Sequence, residues 1–245
     1  MKKLLDPVQR AMFLRRLTNF LRRKAGIHYR RSYSQCGEDV VARTLFDMLG
    51  IAHPNYLDIG AHHPHFLSNT YLFYREGSRG INVEPDPELY ARFLRSRPHD
   101  LNLNVGVGES PGHLDLYVMS SRTLNTLSEN EAHLYESQGY KIVGKRSVEV
   151  TTVNKIIDQH LGSAPDFLSV DVEGLDYMIL ASLDFERYRP ILICVETITF
   201  SSVGEGQKRT EIDELLTQRG YMRFADTYIN TLYVDREKWT KRQPR

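Results

Sequence analysis

Tyr56-Leu-Asp-Ile-Gly60 is a short apolar run closed by a glycine, and Gly80-Ile-Asn-Val-Glu84 repeats the pattern 24 residues later, closed by an acid. Each has the length of a buried strand and ends at a turn residue. Between them, Ser68 to Glu76 has helical spacing, with Ser68 as the expected N-cap and Gly77 as the stop. Beyond Glu84, Asp86 caps a further helix that has Pro87 at its first position. Strand, helix, strand, helix over this short span predicts a parallel sheet covered on both faces.

The alternation extends in both directions. Upstream, Val40, Val41, Leu45, Met48 and Leu49 share one face over residues 38–49, and Gly50 ends that helix. Downstream, strands are expected at 101–107, 114–119, 148–153, 167–171 and 190–196, with helices at 154–161, 175–183 and 211–218. The last two strands, 221–225 and 231–235, have no helix between them and are expected to form an antiparallel hairpin at the sheet edge. The polar insertion 120–147, with Ser121, Arg122, Asn125, Tyr135, Tyr140 and Lys141, suits carbohydrate recognition or a contact between two copies of the chain. The loop from Thr197 to Lys208 is the expected lid.

In an open α/β sheet ligands bind outside the carboxyl ends of the strands, where strand order reverses. The residues at those ends are Asp58 and Gly60, Glu84, Asn104 and Gly106, Asp171 and Glu173, and Glu196. Glu84 follows a glycine turn at the spacing of an acid that accepts both hydroxyls of an adenosine ribose. The first turn has one glycine where a phosphate cradle has three, which argues against a dinucleotide and suits S-adenosylmethionine, a ligand without phosphate. Gly60 then lets the chain pass close to the cofactor, while Asp58 orders the turn or meets the amino-acid end of the ligand.

Several stretches together resemble the FkbM-type S-adenosylmethionine-dependent O-methyltransferases. They are Ser34-Gln-Cys-Gly-Glu-Asp39, Tyr56-Leu-Asp-Ile-Gly-Ala-His-His-Pro64 with Ser68-Asn-Thr70, and Gly80-Ile-Asn-Val-Glu-Pro85. Asn104-Val-Gly-Val-Gly108, Val150-Thr-Thr-Val153 and Asp166-Phe-Leu-Ser-Val-Asp-Val-Glu-Gly174 complete the set. The resemblance implies a class I, Rossmann-like methyltransferase: a mostly parallel seven-stranded sheet with an antiparallel edge hairpin and helices on both faces. It also implies S-adenosyl-L-methionine as cofactor and a hydroxyl of a sugar, glycan or glycosylated metabolite as acceptor. The other readings are a non-sugar hydroxyl or amide acceptor, or a cofactor-binding module without catalysis. The implied cofactor contacts are Gln35, Glu38, Asp58, Gly60, Ala61, Ser68, Asn69, Glu84, Pro85, Asn104, Val105, Gly106 and Asp171. His62 to Pro64 depart from the family's commoner turn, which has an Asn and a second Gly there.

Methyl transfer to a hydroxyl needs alignment and a base for the leaving proton. Asp171 and Glu173 are the candidates, because the end of their strand faces the methyl group in the fold the resemblance implies. The alternative is that Glu173 caps the next helix and Asp171 binds only the methionine amine. His62 or His65 fits a base or a sugar hydrogen bond, and His63 fits plain loop structure. No metal is expected, since H-H-x-H is not an established ligand spacing.

The 245 residues, 41% apolar and 26% charged, suit one globular domain. The net charge of +1 conceals an asymmetry: residues 1–31 hold ten Lys or Arg against Asp6, a charge of +9, and the remainder carries −8. Residues 1–31 form a basic extension whose segment Leu4 to Leu21 has helical spacing, and residues 32–245 form the methyltransferase domain. That helix either packs on the domain or carries a peripheral contact, through residues 1–25, with anionic lipid or a lipid-linked glycan. The acidic remainder argues against nucleic acid. No run reaches the length of a membrane-spanning helix, no secretory signal is expected, and Cys36 and Cys194 have no disulfide or zinc spacing. A reducing cytoplasm is the expected compartment, with residues 1–25 at the inner membrane face.

Overall fold

The computed structural model describes Lys24, residues 30–201 and residues 205–242. The chain divides into two compact units, Met1–Ser32 and Tyr33–Arg245. The basic helix expected over 4–21 lies outside the described residues.

The second unit opens with α1 (Glu38–Leu49), stopped by Gly50 at φ 79°. It continues with β1 (Tyr56–Ile59), α2 (Tyr71–Arg75), β2 (Gly80–Val83), α3 (Pro87–Ser96), β3 (Leu101–Leu103), β4 (Gly106–Val107) and β5 (Gly112–Met119). A 3₁₀ turn at Arg122–Leu124 leads to α4 (Glu129–Ser137), β6 (Ile142–Thr151), α5 (Val153–His160), β7 (Phe167–Val170) and α6 (Asp176–Ser182). The chain ends through β8 (Leu192–Glu196), α7 (Thr210–Gln218), β9 (Tyr221–Asp226), β10 (Asn230–Asp235) and α8 (Arg236–Thr240).

Seven strands form one sheet in the order β3-β2-β1-β7-β8-β10-β9. All neighbours are parallel except β10, which runs antiparallel to both β8 and β9. β1 and β7 are buried at every residue, as strands covered on both faces must be. Alternate side chains sort to opposite faces. Leu57, Ile59, Leu168, Val170, Ile193 and Val195 enter the core that includes α5, α6 and α7 residues. Tyr56, Phe167, Leu192 and Cys194 enter the other, against Ala42, Leu45 and Phe46 of α1. Strand order reverses between β1 and β7, and that crevice positions the site.

Three elements differ from expectation. The regular turns of α2 begin at Tyr71 rather than Ser68, although Ser68 Oγ makes the cap bond expected of it, accepting from the Tyr71 N–H at 3.1 Å; the Thr70 hydroxyl donates to Asp58 Oδ2 at 2.6 Å. The strand expected over 101–107 is two strands in different sheets. The Asn104 amide bonds the carbonyls of Glu84 and Pro85, and the chain leaves the main sheet there to place β4 beside β6. β6 starts at Ile142 rather than 148 because it pairs with β5 from Met119 back to Gly112. The end of the expected insertion is therefore the first half of β6, the central strand of a second, three-stranded sheet β4-β6-β5, and α4 fills its middle.

Candidate functional site

Glu84, Gly60 and Asp171 follow β2, β1 and β7, and Glu196 ends β8, four adjacent strands. At the usual strand spacing this row spans roughly 14 Å. A cavity of about 380 Å³ lies against it, within the range of small-molecule sites. Of the residues singled out from the sequence, Gln35, Gly60, His62, Asn69 and Glu84 line it, as do Pro85, Val105, Gly106, Asp171 and Glu173.

Glu38, Asp58, Ala61, Ser68 and Asn104 lie outside the cavity's lining residues, and their hydrogen bonds are made within the protein. Glu38 accepts from the Cys36 N–H, Thr227 and Asn230, which ties the start of α1 to the β9–β10 turn. Asp58 faces the Thr70 hydroxyl within the protein, and its burial raises its pKa. Ala61 N–H bonds the Val83 carbonyl at 3.0 Å, closing the β1 turn on β2. Ser68 caps Tyr71, and Asn104 shapes the turn that carries Glu84 and Pro85.

The turn after β1 and the turn after β7 touch. Gly60 has φ 77°, and a Cβ there would sit 1.7 Å from the Asp171 carbonyl oxygen. Glu84 is 5% exposed, and its two oxygens accept from the N–H groups of Asp86 and His62, each at 2.8 Å. Each oxygen keeps a further lone pair. Burial pushes the Glu84 pKa up to about 7.

Asp171 and Glu173 flank one turn. Burial, and then the charges of Asp176, Asp58 and Glu38, push Asp171 up to about 7. Glu173 is raised well above the usual carboxylate range by burial and by Asp171, against the opposing hydrogen bond from Tyr135. That bond runs from the Tyr135 hydroxyl to Glu173 Oε2 at 2.5 Å. Asp176 closes this turn by accepting from Val172 and Gly174 N–H, so Glu173 is not the cap of α6. Glu196 is also raised well above its ordinary value, first by burial and then by Asp171 and Glu173.

Among the described residues, four non-glycines have left-handed backbone: His62 at φ 51°, Leu67 at 55°, Glu173 at 52° and Tyr228 at 77°. All four line the cavity. Such conformations cost energy and concentrate where the surrounding fold imposes them for function. His62 is half-buried, and burial followed by the charge of Arg92 lowers its pKa, which favours the neutral ring. His63 is held near 4 by burial and the neighbouring His65, Arg92 and His62, and its Nδ1 accepts from Phe66 N–H, a loop-building role. Among the described residues no group of three or more His, Cys, Asp or Glu is arranged to hold a metal ion.

Tyr228 and Asn230 also line the cavity, and Glu131, Asp176 and Arg209 surround its acids; none was legible in sequence. Their partners are distant in the chain: Arg209 pairs with Glu131 at 3.2 Å.

Residues 58–222 match the model of the methyltransferase FkbM domain. The chain belongs to this family. No curated protein matches it. Among solved structures, it is similar to a TehB-like SAM-dependent methyltransferase from Corynebacterium glutamicum, with 12% identity and TM-score 0.40, covering 90% of this chain and 97% of that one. It is also similar to Burkholderia thailandensis 1,6-didemethyltoxoflavin-N1-methyltransferase with bound 1,6-didemethyltoxoflavin and S-adenosylhomocysteine (12%, TM-score 0.40, 96% and 91%). Aeropyrum pernix fibrillarin in complex with S-adenosyl-L-methionine is a third (10%, TM-score 0.40, 80% and 75%).

The FkbM domain's cavity has the acceptors and apolar wall a sulfonium nucleoside needs. Leu89, Val105 and Leu116 supply apolar wall, Glu84 supplies acceptor lone pairs, Gly60 leaves out the side chain that would fill the crevice, and the remaining carboxylates favour a cation. Among the described residues no helix is long and apolar enough to cross a membrane.

Proposed function

We propose that this FkbM-family methyltransferase uses S-adenosyl-L-methionine to methylate a hydroxyl of a sugar, glycan or glycosylated metabolite. The bound cofactor supplies a methyl group already activated on a positively charged sulfur. Glu84 holds ribose hydroxyls, and Gly60 keeps the crevice open. Asp171 presents a carboxylate to the cationic end.

Glu173 accepts the proton of the attacking hydroxyl. The observation that carries this reading is the placement of Glu173 on the cavity wall in a left-handed conformation, oriented by Tyr135 and raised in basicity by burial. A carboxylate of raised basicity takes a proton more readily than an ordinary one. His62, neutral and on the same wall, is the second proton acceptor. Polar hydrogen-bonding residues from the turn at Arg122–Leu124 and from Asn125 supply the sugar contacts expected of this segment.

Calorimetry with S-adenosylmethionine and a methyl-transfer screen over nucleotide sugars and lipid-linked glycans test this. Glu84→Ala is expected to weaken cofactor binding. Glu173→Gln is expected to keep it while lowering turnover by roughly 10²- to 10⁴-fold. Absence of cofactor binding ends the reading, and transfer only to non-sugar hydroxyls or amides replaces its acceptor.

A further inference from the structure

The cavity is closed on one side by residues that the cofactor contacts leave unused: Glu196 at the end of β8, Phe200 after it, and Tyr228 and Asn230 at the β9–β10 turn. Tyr228 and Asn230 lie beyond the part of the chain that matches the family model. Three properties of this group point to a ligand.

Asn230 is 2% exposed; its Nδ2 donates to Glu38 Oε1 at 3.2 Å, and its Oδ1 is buried with no hydrogen-bond partner. A buried amide oxygen left without a donor is costly and calls for one. The Glu196 carboxylate likewise makes no hydrogen bond among the described residues, although it is half-buried at the cavity. Tyr228 is 53% exposed at the rim and is held at φ 77°, with its N–H on Asp226 Oδ1 at 2.8 Å. The fold thus maintains a strained backbone that presents an aromatic ring to the mouth of the site.

The charges discriminate among ligands. Among the described lining residues, Arg122 alone carries a permanent positive charge, and its guanidinium is engaged by Asp86 at 2.9 Å and Glu88 at 2.6 Å. Lys208 is engaged by Asp226 at 2.8 Å, and Arg209 by Glu131. Arg92 stands on α3, after β2, and is not a lining residue.

We infer that Glu196, Asn230 and Tyr228 form the acceptor subsite, and that it takes an uncharged or ammonium-bearing sugar ring and rejects a ring that carries phosphate or carboxylate. This rests on the reading under Proposed function. Glu196 and Asn230 Oδ1 accept from ring hydroxyl or ammonium donors. The Tyr228 ring covers the apolar C–H face of the sugar. An anionic ring would bring like charge against whichever of Glu196, Glu173 and Asp171 is ionised, and would push the others further toward the protonated form, in an enclosed site.

Calorimetry on the full chain saturated with S-adenosylhomocysteine tests the subsite, with methyl α-glucoside, glucosamine, glucuronate and glucose 6-phosphate as probes. The first two are expected to bind at least about tenfold more tightly than the last two. Tyr228→Ala is expected to weaken the first two by about tenfold, and Tyr228→Phe, which keeps the ring, by less. Glu196→Gln is expected to narrow the gap between neutral and anionic probes. Equal or tighter binding of the anionic probes, no binding of any probe, or wild-type binding by Tyr228→Ala overturns the inference. Failure of S-adenosylhomocysteine to bind the wild-type chain overturns the underlying methyltransferase reading as well.

Discussion

Gly60 and Asp171 belong to turns 111 residues apart in the chain, yet a single methyl group on Gly60 would lie 1.7 Å from the Asp171 carbonyl oxygen and 2.8 Å from its carbon. Both contacts are to backbone, which cannot swing aside. The left-handed φ of 77° adds strain for any side chain. Gly60→Ala therefore forces the β1 and β7 turns apart at the switch point. The expected cost is at least about 3 kcal/mol, read as a lower urea midpoint, together with loss of S-adenosylmethionine binding. A variant as stable as wild type would show that the two turns separate freely.

The Tyr135 hydroxyl should set the pH at which Glu173 acts. A donor to the ionised carboxylate lowers its pKa, and Tyr135 supplies that donor while burial holds the phenol protonated. Tyr135→Phe keeps the ring against Phe200 but removes the bond. The folded pKa of Glu173 then rises, so the acid limb of the kcat profile moves to higher pH. Turnover at neutral pH falls while KM for the cofactor changes little. An unshifted profile would remove Glu173 as the base and turn attention to His62.

The strands were legible because β1, β7 and β8 are buried runs in a parallel sheet, and Gly60, Glu84, Asp171 and Glu173 were legible because such strands deliver their ends to one edge. The direction of Asp58 was available too. By the period of two it shares a face with Tyr56, away from Leu57 and Ile59, and it lies in the polar network below that face. The break at Asn104 was hidden because its partners, Glu84 and Pro85, are about 20 residues upstream. Tyr228 and Asn230 gave no signal: left-handed strain and an orphaned amide oxygen exist only once the chain has folded.

Stability and cofactor binding should depend on pH in opposite senses. Glu84 and Asp171 titrate near 7 in the folded protein, against about 4 when unfolded. The folded state thus binds more protons than the unfolded one between those values. Without cofactor, stability is expected to fall as pH rises through this window and to level off above about 7. A cationic ligand favours the ionised carboxylates, so its binding expels protons below that pH. S-adenosylmethionine affinity should rise between about pH 5.5 and 8. Calorimetry in buffers of different ionisation enthalpy reads the released protons, and a pH-independent affinity with no proton release would contradict the assignment.

On the +9 charge of residues 1–31 against the −8 remainder, we propose that the extension docks on an anionic surface. A chain lacking residues 1–25 is expected to lose binding to vesicles containing anionic lipid while still methylating a soluble acceptor. Co-sedimentation with vesicles checks this, and unchanged binding would return the segment to a packing role.

Arg97 is fully buried and holds the far side of the sheet together. Its Nε pairs with Asp100 at 2.8 Å, and its other nitrogens donate to Thr70 Oγ1 at 3.0 Å and to the Tyr56 hydroxyl at 2.7 Å. Asp100 also accepts from Tyr56, from Asn82 and from Gly80 N–H, while the Thr70 hydroxyl donates a hydrogen bond to Asp58. The network therefore joins β1, β2 and the start of α2 beneath the turn that carries Gly60. Arg97→Met leaves the Asp100 carboxylate buried without its cation and is expected to cost roughly 3–5 kcal/mol. Arg97→Lys restores charge but not the three-way fork and should recover little. The double change Arg97→Met with Asp100→Asn removes the uncompensated charge and should be more stable than Arg97→Met alone. Denaturant midpoints across the set decide it: if the double variant is no better than the single one, the loss is packing around the guanidinium rather than the stranded carboxylate.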